Sequence, residues 1–245
     1  MLILLPQPSY AASLTPEETP EIIWAVDVSG SVRQTDAEGF WREAVLLGAD
    51  ILPLGAKMGF VAANTGVVAQ VSPQPDMTHA QWKTALETVP INGDTDLSVA
   101  VKAALTLFDE SAAKRIILVG DISEGGFFAP GIRPADKLAE LDDLAQELKT
   151  RDVRLDCIFL GAGRAEQAAL DTWRELAEKT GGVFTLLSKA EELTDAAAEA
   201  YFTVYPYARA VTGSLNTTAE WQTVQIALPD APLEKARVFI PHAEV

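Results

Sequence analysis

A cluster of oxygen-bearing side chains follows the first strongly apolar run of the chain. Residues 22–26 are apolar, and Asp27, Ser29 and Ser31 come next at alternate positions. If the run is a strand, it carries the Asp27 carboxylate to the edge of a sheet, and the turn behind it adds two hydroxyls. Grouped oxygen atoms suit a hard divalent cation such as Mg²⁺, whereas zinc prefers histidine and cysteine. The spacing therefore indicates part of a cation site whose remaining ligands come from elsewhere in the chain.

The composition of the chain bounds its class. With 245 residues, of which 48% are apolar, it can bury the core of one large domain, alone or with an appendage, and disorder is not expected. The 19 Lys and Arg residues against 35 Asp and Glu residues give a net charge of −16. Because such a chain repels a phosphate backbone, nucleic acid is not an expected partner, and cations or basic partners are favoured.

The first twenty residues admit two interpretations. Residues 2–5 are apolar and residues 9–12 resemble the small-residue end of a signal peptide, but no Lys or Arg precedes them. We expect residues 1–20 to be a signal-like or linker segment and the protein to be exported to the periplasm, the exterior or the cell surface. A stray first strand and a cytoplasmic protein are the alternatives. The single cysteine, Cys157, lies in an apolar run and is predicted to be buried, and no later segment is long and apolar enough to span a bilayer.

Strands and helices alternate along most of the chain. A short link, 64–66, joins two apolar runs and predicts a hairpin, hence one antiparallel strand. The pattern predicts an α/β fold: a doubly wound, mostly parallel six-stranded sheet with one antiparallel edge strand and helices on both faces. The predicted strands are 22–28, 59–63, 67–71, 115–120, 153–160 and 183–187, and the predicted helices are 35–51, 78–89, 96–108, 134–150, 165–180 and 190–202.

The last forty residues or so change character. Residues 224–228 and 236–240 look like strands set apart by prolines, so residues 204–245 are predicted to be a short β-rich C-terminal extension. Two or three strands cannot bury a core alone. The extension either packs on the main domain or begins a second domain that this chain does not complete.

Two further oxygen donors are predicted to meet the first three. Asp121 follows the apolar strand 115–120, and in a doubly wound sheet the carboxyl ends of central strands meet where the strand order reverses. Thr95 lies in a Gly-containing loop before a helix, where it is a natural helix cap and its hydroxyl could face the same crevice. Asp96, in the first helical turn, could accept a hydrogen bond from behind the site, but the helix dipole is an adequate explanation for it.

With these residues placed, the chain resembles the von Willebrand factor type A domains, whose fold is shared with integrin I domains. The resemblance covers residues 20 to 202, so residues 21–203 are expected to form the domain. Carried over position by position, the metal-ion-dependent adhesion site of the family is Asp27, Ser29, Ser31, Thr95 and Asp121. The resemblance implies that this site holds Mg²⁺, Mn²⁺ or Ca²⁺ and that an Asp or Glu carboxylate of a partner protein completes the coordination. The metal would then be a bridge used for adhesion or protein binding.

One position departs from the family pattern. The family often has Thr-Asp-Gly at the end of this strand, where this chain has Gly120, Asp121 and Ile122. The aspartate is kept, so we expect a change in the following turn more than a loss of metal binding. The loop beyond it carries Phe127 and Phe128, which could anchor a partner or pack under the loop.

Two other functions are weighed beside protein binding. A metal-dependent phosphohydrolase is not expected, because the sequence has no Walker-type loop and no histidine or cysteine near the site. We therefore do not expect an enzyme. Domains of this kind also serve inside cells as scaffold subunits of chelatase and ATPase assemblies, which is the main alternative that the resemblance implies.

Overall fold

The computed structural model of the chain describes residues 3–6, 21–52, 56–75, 77–109, 113–121, 134–161, 167–204 and 236–239. The strands among them are β1 (Ile3–Pro6), β2 (Glu21–Asp27), β3 (Lys57–Ala63), β4 (Val67–Gln74), β5 (Lys114–Asp121), β6 (Val153–Leu160), β7 (Phe184–Leu187) and β8 (Ala236–Phe239). The helices are α1 (Val32–Thr35), α2 (Phe40–Ile51), α3 (His79–Glu87), α4 (Leu97–Leu107), α5 (Pro134–Thr150), α6 (Gln167–Lys179) and α7 (Leu193–Val204), with a 3₁₀ turn at Ala190–Glu192.

The chain divides into two compact units, Leu14–Ala200 and the pair Met1–Ser13 with Tyr201–Val245. In the second unit, β1 pairs with β8 in an antiparallel two-stranded sheet, with Ile3 opposite Phe239. The strand predicted at 236–240 is thus found as β8, and the strand predicted at 224–228 lies outside the described residues. The predicted boundaries at residues 20 and 203, and the signal-like nature of the first segment, stay predictions.

The larger unit contains a six-stranded sheet in the order β4-β3-β2-β5-β6-β7. Every neighbouring pair is parallel except β3 with β4, which run antiparallel at one edge. The chain therefore winds outward from β2 to the β4 edge and returns to place β5 on the other side of β2. This reversal confirms the predicted fold class, and it opens a crevice at the carboxyl ends of β2 and β5.

Helices cover both faces of the sheet because the central strands are apolar on both sides. On one face, α4, α5 and α6 pack on side chains such as Ile23, Leu118 and Phe159. On the other face, Trp41 of α2 stacks on Phe60 of β3, with ring centroids 5.8 Å apart and planes 5° from parallel. Within the described part of the chain, no helix has the length and apolar character needed to cross a membrane.

The helix predicted at 35–51 is wrong in its first turn. The structure has two helices there, α1 and α2, separated by a turn from Asp36 to Gly39. Asp36 accepts hydrogen bonds from the backbone N–H groups of Phe40 (2.8 Å) and Trp41 (2.9 Å), and Gly39 has a left-handed φ of 78°. The buried carboxylate thus satisfies the free amides that begin α2, which is why the helix starts afresh at Phe40.

Other boundaries differ by a few residues. β4 continues past the predicted end at residue 71 to Gln74 and contains Pro73, which is tolerated because β4 is an edge strand. The predicted helix at 190–202 is a 3₁₀ turn followed by α7. None of these differences moves the strand ends that meet at the crevice.

Candidate cation-binding site

The turn after β2 places three predicted ligands, Asp27, Ser29 and Ser31, next to one another. The backbone N–H of Ser29 donates to Asp27 Oδ1 at 2.8 Å, and the Ser29 hydroxyl donates to Asp27 Oδ2 at 3.2 Å. The hydroxyls of Ser29 and Ser31 lie 3.0 Å apart. An aspartate that bonds the amide two residues ahead is an Asx-turn, so this part of the site follows from local sequence. Asp27 and Ser29 are both buried.

The fourth predicted ligand, Asp121, is brought to this turn by the parallel pairing of β2 with β5. Asp121 ends β5, is 2% exposed, and accepts a hydrogen bond from the Ser31 hydroxyl to its Oδ1 at 3.0 Å. Its Oδ2 accepts a second hydrogen bond, at 2.9 Å, from Thr35 at the end of α1. Thr35 is a site contact that the sequence analysis missed. Its spacing of one helical turn from Ser31 was the available signal, since residues four apart share a helix face.

The fifth predicted ligand, Thr95, lies in a buried position on the neighbouring loop. This loop rests on the β2 turn through hydrogen bonds from Gly30 N to Gly93 O (2.9 Å) and from Asn92 N to Val28 O (2.8 Å). Within the described residues, no hydrogen bond joins the Thr95 side chain to the other four predicted ligands. The predicted capping role is wrong, because Asp96 is the N-cap of α4 and accepts from Ser98 N at 3.2 Å.

The two carboxylates of the site oppose each other electrostatically. Burial, and then the neighbouring charge of Asp121, raises the pKa of Asp27 to about 7, while the Ser29 hydrogen bonds act in the opposite direction. Among the described residues, no lysine, arginine or histidine pairs with either carboxylate. A bound cation would relieve this repulsion, so the charge arrangement fits one.

The donor set fits a hard cation. Two carboxylates and three hydroxyls are all oxygen ligands, as Mg²⁺ requires, and they leave room for further ligands in an octahedral shell. In the described part of the chain, no three His, Cys, Asp or Glu side chains are grouped so as to hold a metal. A cation here would therefore depend on the hydroxyls of Ser29, Ser31 and Thr95 as much as on the two acids.

Comparisons with known proteins agree with this architecture. A scan against protein-family models and a search of curated proteins found no match. Among solved structures, a von Willebrand factor type A protein from Catenulispora acidiphila superimposes with a TM-score of 0.60 at 24% identity, over 74% of this chain and 41% of that one. The chain has the von Willebrand factor type A fold.

Other proteins with this fold are more distant in sequence. An aerotolerance-related membrane protein from Bacteroides fragilis matches with a TM-score of 0.53 at 14% identity, over 75% of this chain and 99% of that one. The pilus adhesin SpaC from Lactobacillus rhamnosus GG matches with a TM-score of 0.57 at 12% identity, over 77% of this chain and 30% of that one. The matched region is thus less than half of the Catenulispora and Lactobacillus proteins, and these likenesses establish the fold.

A second polar cluster joins the start of α4 to the start of α5. Lys137, which is 1% exposed, lies 2.7 Å from Asp96 Oδ1 and 2.6 Å from Ser98 Oγ. It also lies 2.9 Å from Glu140 Oε2, and Glu140 pairs in turn with Lys102. The helix dipole alone therefore does not explain Asp96, which is half of a buried ion pair. The signal in the sequence was a lysine in the first turn of a helix, where the dipole disfavours it.

The departure at Gly120 has a packing reason in this type A fold. A Cβ at Gly120 would lie 2.9 Å from Cδ2 of Leu97, the first residue of α4, so a larger residue would require the Leu97 side chain to move. Ile122, Phe127 and Phe128 lie outside the described residues.

Proposed function

We propose that this domain is a non-catalytic protein-binding module that holds a divalent cation, Mg²⁺ or Mn²⁺, and uses it to bridge to a carboxylate of a partner protein. The residues that would hold the cation are Asp27, Ser29, Ser31, Thr95 and Asp121. The bound cation supplies a positively charged centre on a strongly acidic protein. The observation that carries the proposal is a pair of buried carboxylates, Asp27 and Asp121, that has no cationic partner among the described residues and is bonded to hydroxyls at the switch point of the sheet.

The ligand count favours a bridge to another acid. Five protein oxygens, only two of them charged, leave at least one octahedral position for an outside ligand. A carboxylate is the hard, anionic oxygen ligand that proteins commonly offer. An Asp or Glu side chain of a partner is therefore the ligand that this position would accept best.

Binding is favoured over catalysis by what surrounds the site. Among the described residues, His79 is on α3, where it bonds Asp50 at 3.0 Å, and Cys157 is fully buried in β6, where burial raises its pKa well above the usual value. Neither is placed to assist the two carboxylates as a general base or as an activated nucleophile. The name of one protein with the same fold, a pilus adhesin, agrees with a binding role, although the argument rests on the site.

The cation is tested by calorimetric titration of Mg²⁺ and Mn²⁺ into the wild-type chain and into Asp27→Ala. We expect saturable binding by the wild type and none by the variant. The matched control is Glu38→Ala, which removes an exposed carboxylate of the neighbouring turn and should bind as the wild type does. Equal heats from wild type and Asp27→Ala, or none from either, would overturn the cation site.

The bridge is tested by capture of partners on immobilised protein with Mg²⁺ or with EDTA. Capture should require Mg²⁺, disappear with Asp27→Ala, persist with Glu38→Ala, and fail when carboxylates of the applied proteins have been converted to amides. Capture that survives both EDTA and amidation would contradict a metal-bridged carboxylate. Metal-dependent turnover of phosphate esters that is abolished in Asp121→Ala would instead establish a hydrolase.

A further inference from the structure

Thr35 makes a contact at the candidate site that the five-residue motif does not include. Its hydroxyl lies 2.9 Å from Asp121 Oδ2, while Ser31 bonds the other oxygen, Oδ1, at 3.0 Å. Each oxygen of the Asp121 carboxylate thus accepts one hydrogen bond, from the hydroxyl of Thr35 in α1 or from that of Ser31, the N-cap of α1. Both oxygens of the Asp121 carboxylate are therefore fixed by hydrogen bonds from one short helix and its N-cap.

The Thr35 proton has two acceptors within reach. One is Asp121 Oδ2, and the other is the Ser31 carbonyl oxygen at 3.3 Å. A hydroxyl has one proton to donate, and a bond to a charged carboxylate is shorter and stronger than one to a neutral carbonyl. The shorter distance agrees with donation to Asp121.

The backbone on both sides of Thr35 is held by hydrogen bonds and by the packing of α2 on the sheet. The Thr35 N–H donates to Ser31 O at 3.2 Å, and the next residue, Asp36, is buried and holds the first amides of α2. Trp41 of α2 stacks in turn on Phe60 of the sheet. Because both sides of Thr35 are anchored, its hydroxyl is aimed at Asp121 before any ligand arrives.

We propose that Thr35 is a positioning residue of the cation site: its hydroxyl holds the Asp121 carboxylate in the orientation that binds the metal. This inference rests on the proposed function and names a residue that acts through Asp121 rather than as a ligand. A group that bonds a metal-ligating carboxylate from outside reduces the freedom that the carboxylate must lose when the metal binds. Removing such a group typically weakens metal affinity about 10- to 100-fold.

The test compares Thr35→Val, which keeps the shape and removes the hydroxyl, with Thr35→Ser, which keeps the hydroxyl. Thr106→Val is the matched control, because Thr106 is an exposed α4 threonine whose hydroxyl donates to a preceding carbonyl, Ala103 O, and not to a carboxylate. Mg²⁺ and Mn²⁺ dissociation constants are measured by calorimetry, and thermal unfolding of each metal-free protein is recorded. If Thr35→Val does not fold, Thr35→Ala takes its place.

We expect Thr35→Val to bind either metal about tenfold more weakly than wild type, and Thr35→Ser and Thr106→Val to bind like wild type. Wild-type affinity in Thr35→Val, or equal weakening in Thr35→Ser, would overturn the positioning role while leaving the cation site intact. A change in melting temperature alone, with unchanged dissociation constants, would also overturn it, because a merely structural threonine would give that result. Absence of binding by the wild type would overturn the cation site and this inference together.

Discussion

Two clusters of buried acids lie on this domain, and they differ in how their charge is compensated. In the first, Asp27 and Asp121 hydrogen-bond only to hydroxyls, an amide and each other among the described residues. In the second, Asp96 is bonded at both oxygens by the buried ammonium of Lys137, at 2.7 and 2.8 Å. The acids are of the same kind and similarly buried, so the difference is the presence of a cationic side chain.

This difference distinguishes a self-contained structural ion pair, in the second cluster, from a candidate binding site, in the first. A buried ion pair whose partners also hydrogen-bond to their neighbours is complete in itself, and here it fastens α4 to α5. A pair of buried carboxylates without a counter-charge is a cost to the folded protein that an external cation can remove. The comparison thus supports the proposal that the first cluster receives a cation.

The largest expected effect comes from breaking the second cluster, in which Lys137 compensates the charge of Asp96; we call it the compensated cluster. Lys137→Met should lower the free energy of unfolding by about 3–5 kcal/mol, because it leaves Asp96 buried without its partner. Urea unfolding at neutral pH measures this, with Lys83→Met as the control, since Lys83 is exposed and pairs only loosely with Glu87 at 3.9 Å. A loss below about 1 kcal/mol, typical of surface pairs, would mean that the two clusters do not differ as described.

The uncompensated cluster should respond in the opposite direction. Asp27→Asn should raise the free energy of unfolding of the metal-free protein at pH 8 by about 1–3 kcal/mol, because the carboxylate, whose pKa is about 7, is then charged and repelled by Asp121. The same change should abolish stabilisation by Mg²⁺, which the wild type should show. Thermal unfolding with and without Mg²⁺ checks both statements. An unstable Asp27→Asn protein that Mg²⁺ still stabilises would break the comparison.

The smallest effect is expected at the rim of the compensated cluster. Although partial burial opposes it, hydrogen bonds from Lys102, Lys137 and Ser98 lower the pKa of Glu140 to about 2. A carboxyl whose pKa is lowered on folding stabilises the protein above its unfolded value of about 4.5, and this contribution is lost as the pH falls toward 2. Because Glu140 is partly exposed, solvent screening limits the contribution to about 1 kcal/mol or less.

Glu140→Gln should therefore lower the unfolding free energy at pH 7 by about 1 kcal/mol or less, and flatten its decline between about pH 4.5 and pH 2.5, where the two proteins converge. Denaturant titrations at several pH values measure the slope for both proteins. An unchanged slope in the variant would show that Glu140 does not carry this part of the acid sensitivity.

The elements were predictable where the cause was local. The apolar runs of β2, β5 and β6 and the hairpin of β3 with β4 were read directly, because buried parallel strands and short Asn-Gly links have distinct patterns. The break between α1 and α2 was missed although its cause is also local, since Asp36 caps the amides of Phe40 and Trp41, four and five residues ahead. The Asx-turn of Asp27 and Ser29 was predictable because it joins residues only two positions apart.

The sequence by itself determined the type of fold and the oxygen-rich turn, since both follow from hydrophobic patterning and from neighbours two to four residues apart. The tertiary structure alone decided which charges meet. Thr35 reaches Asp121 across 86 residues and Lys137 reaches Asp96 across 41. Such contacts depend on how helices are seated on the sheet. Only the folded chain therefore shows that one acidic cluster carries its own cation and that the described residues leave the other without one.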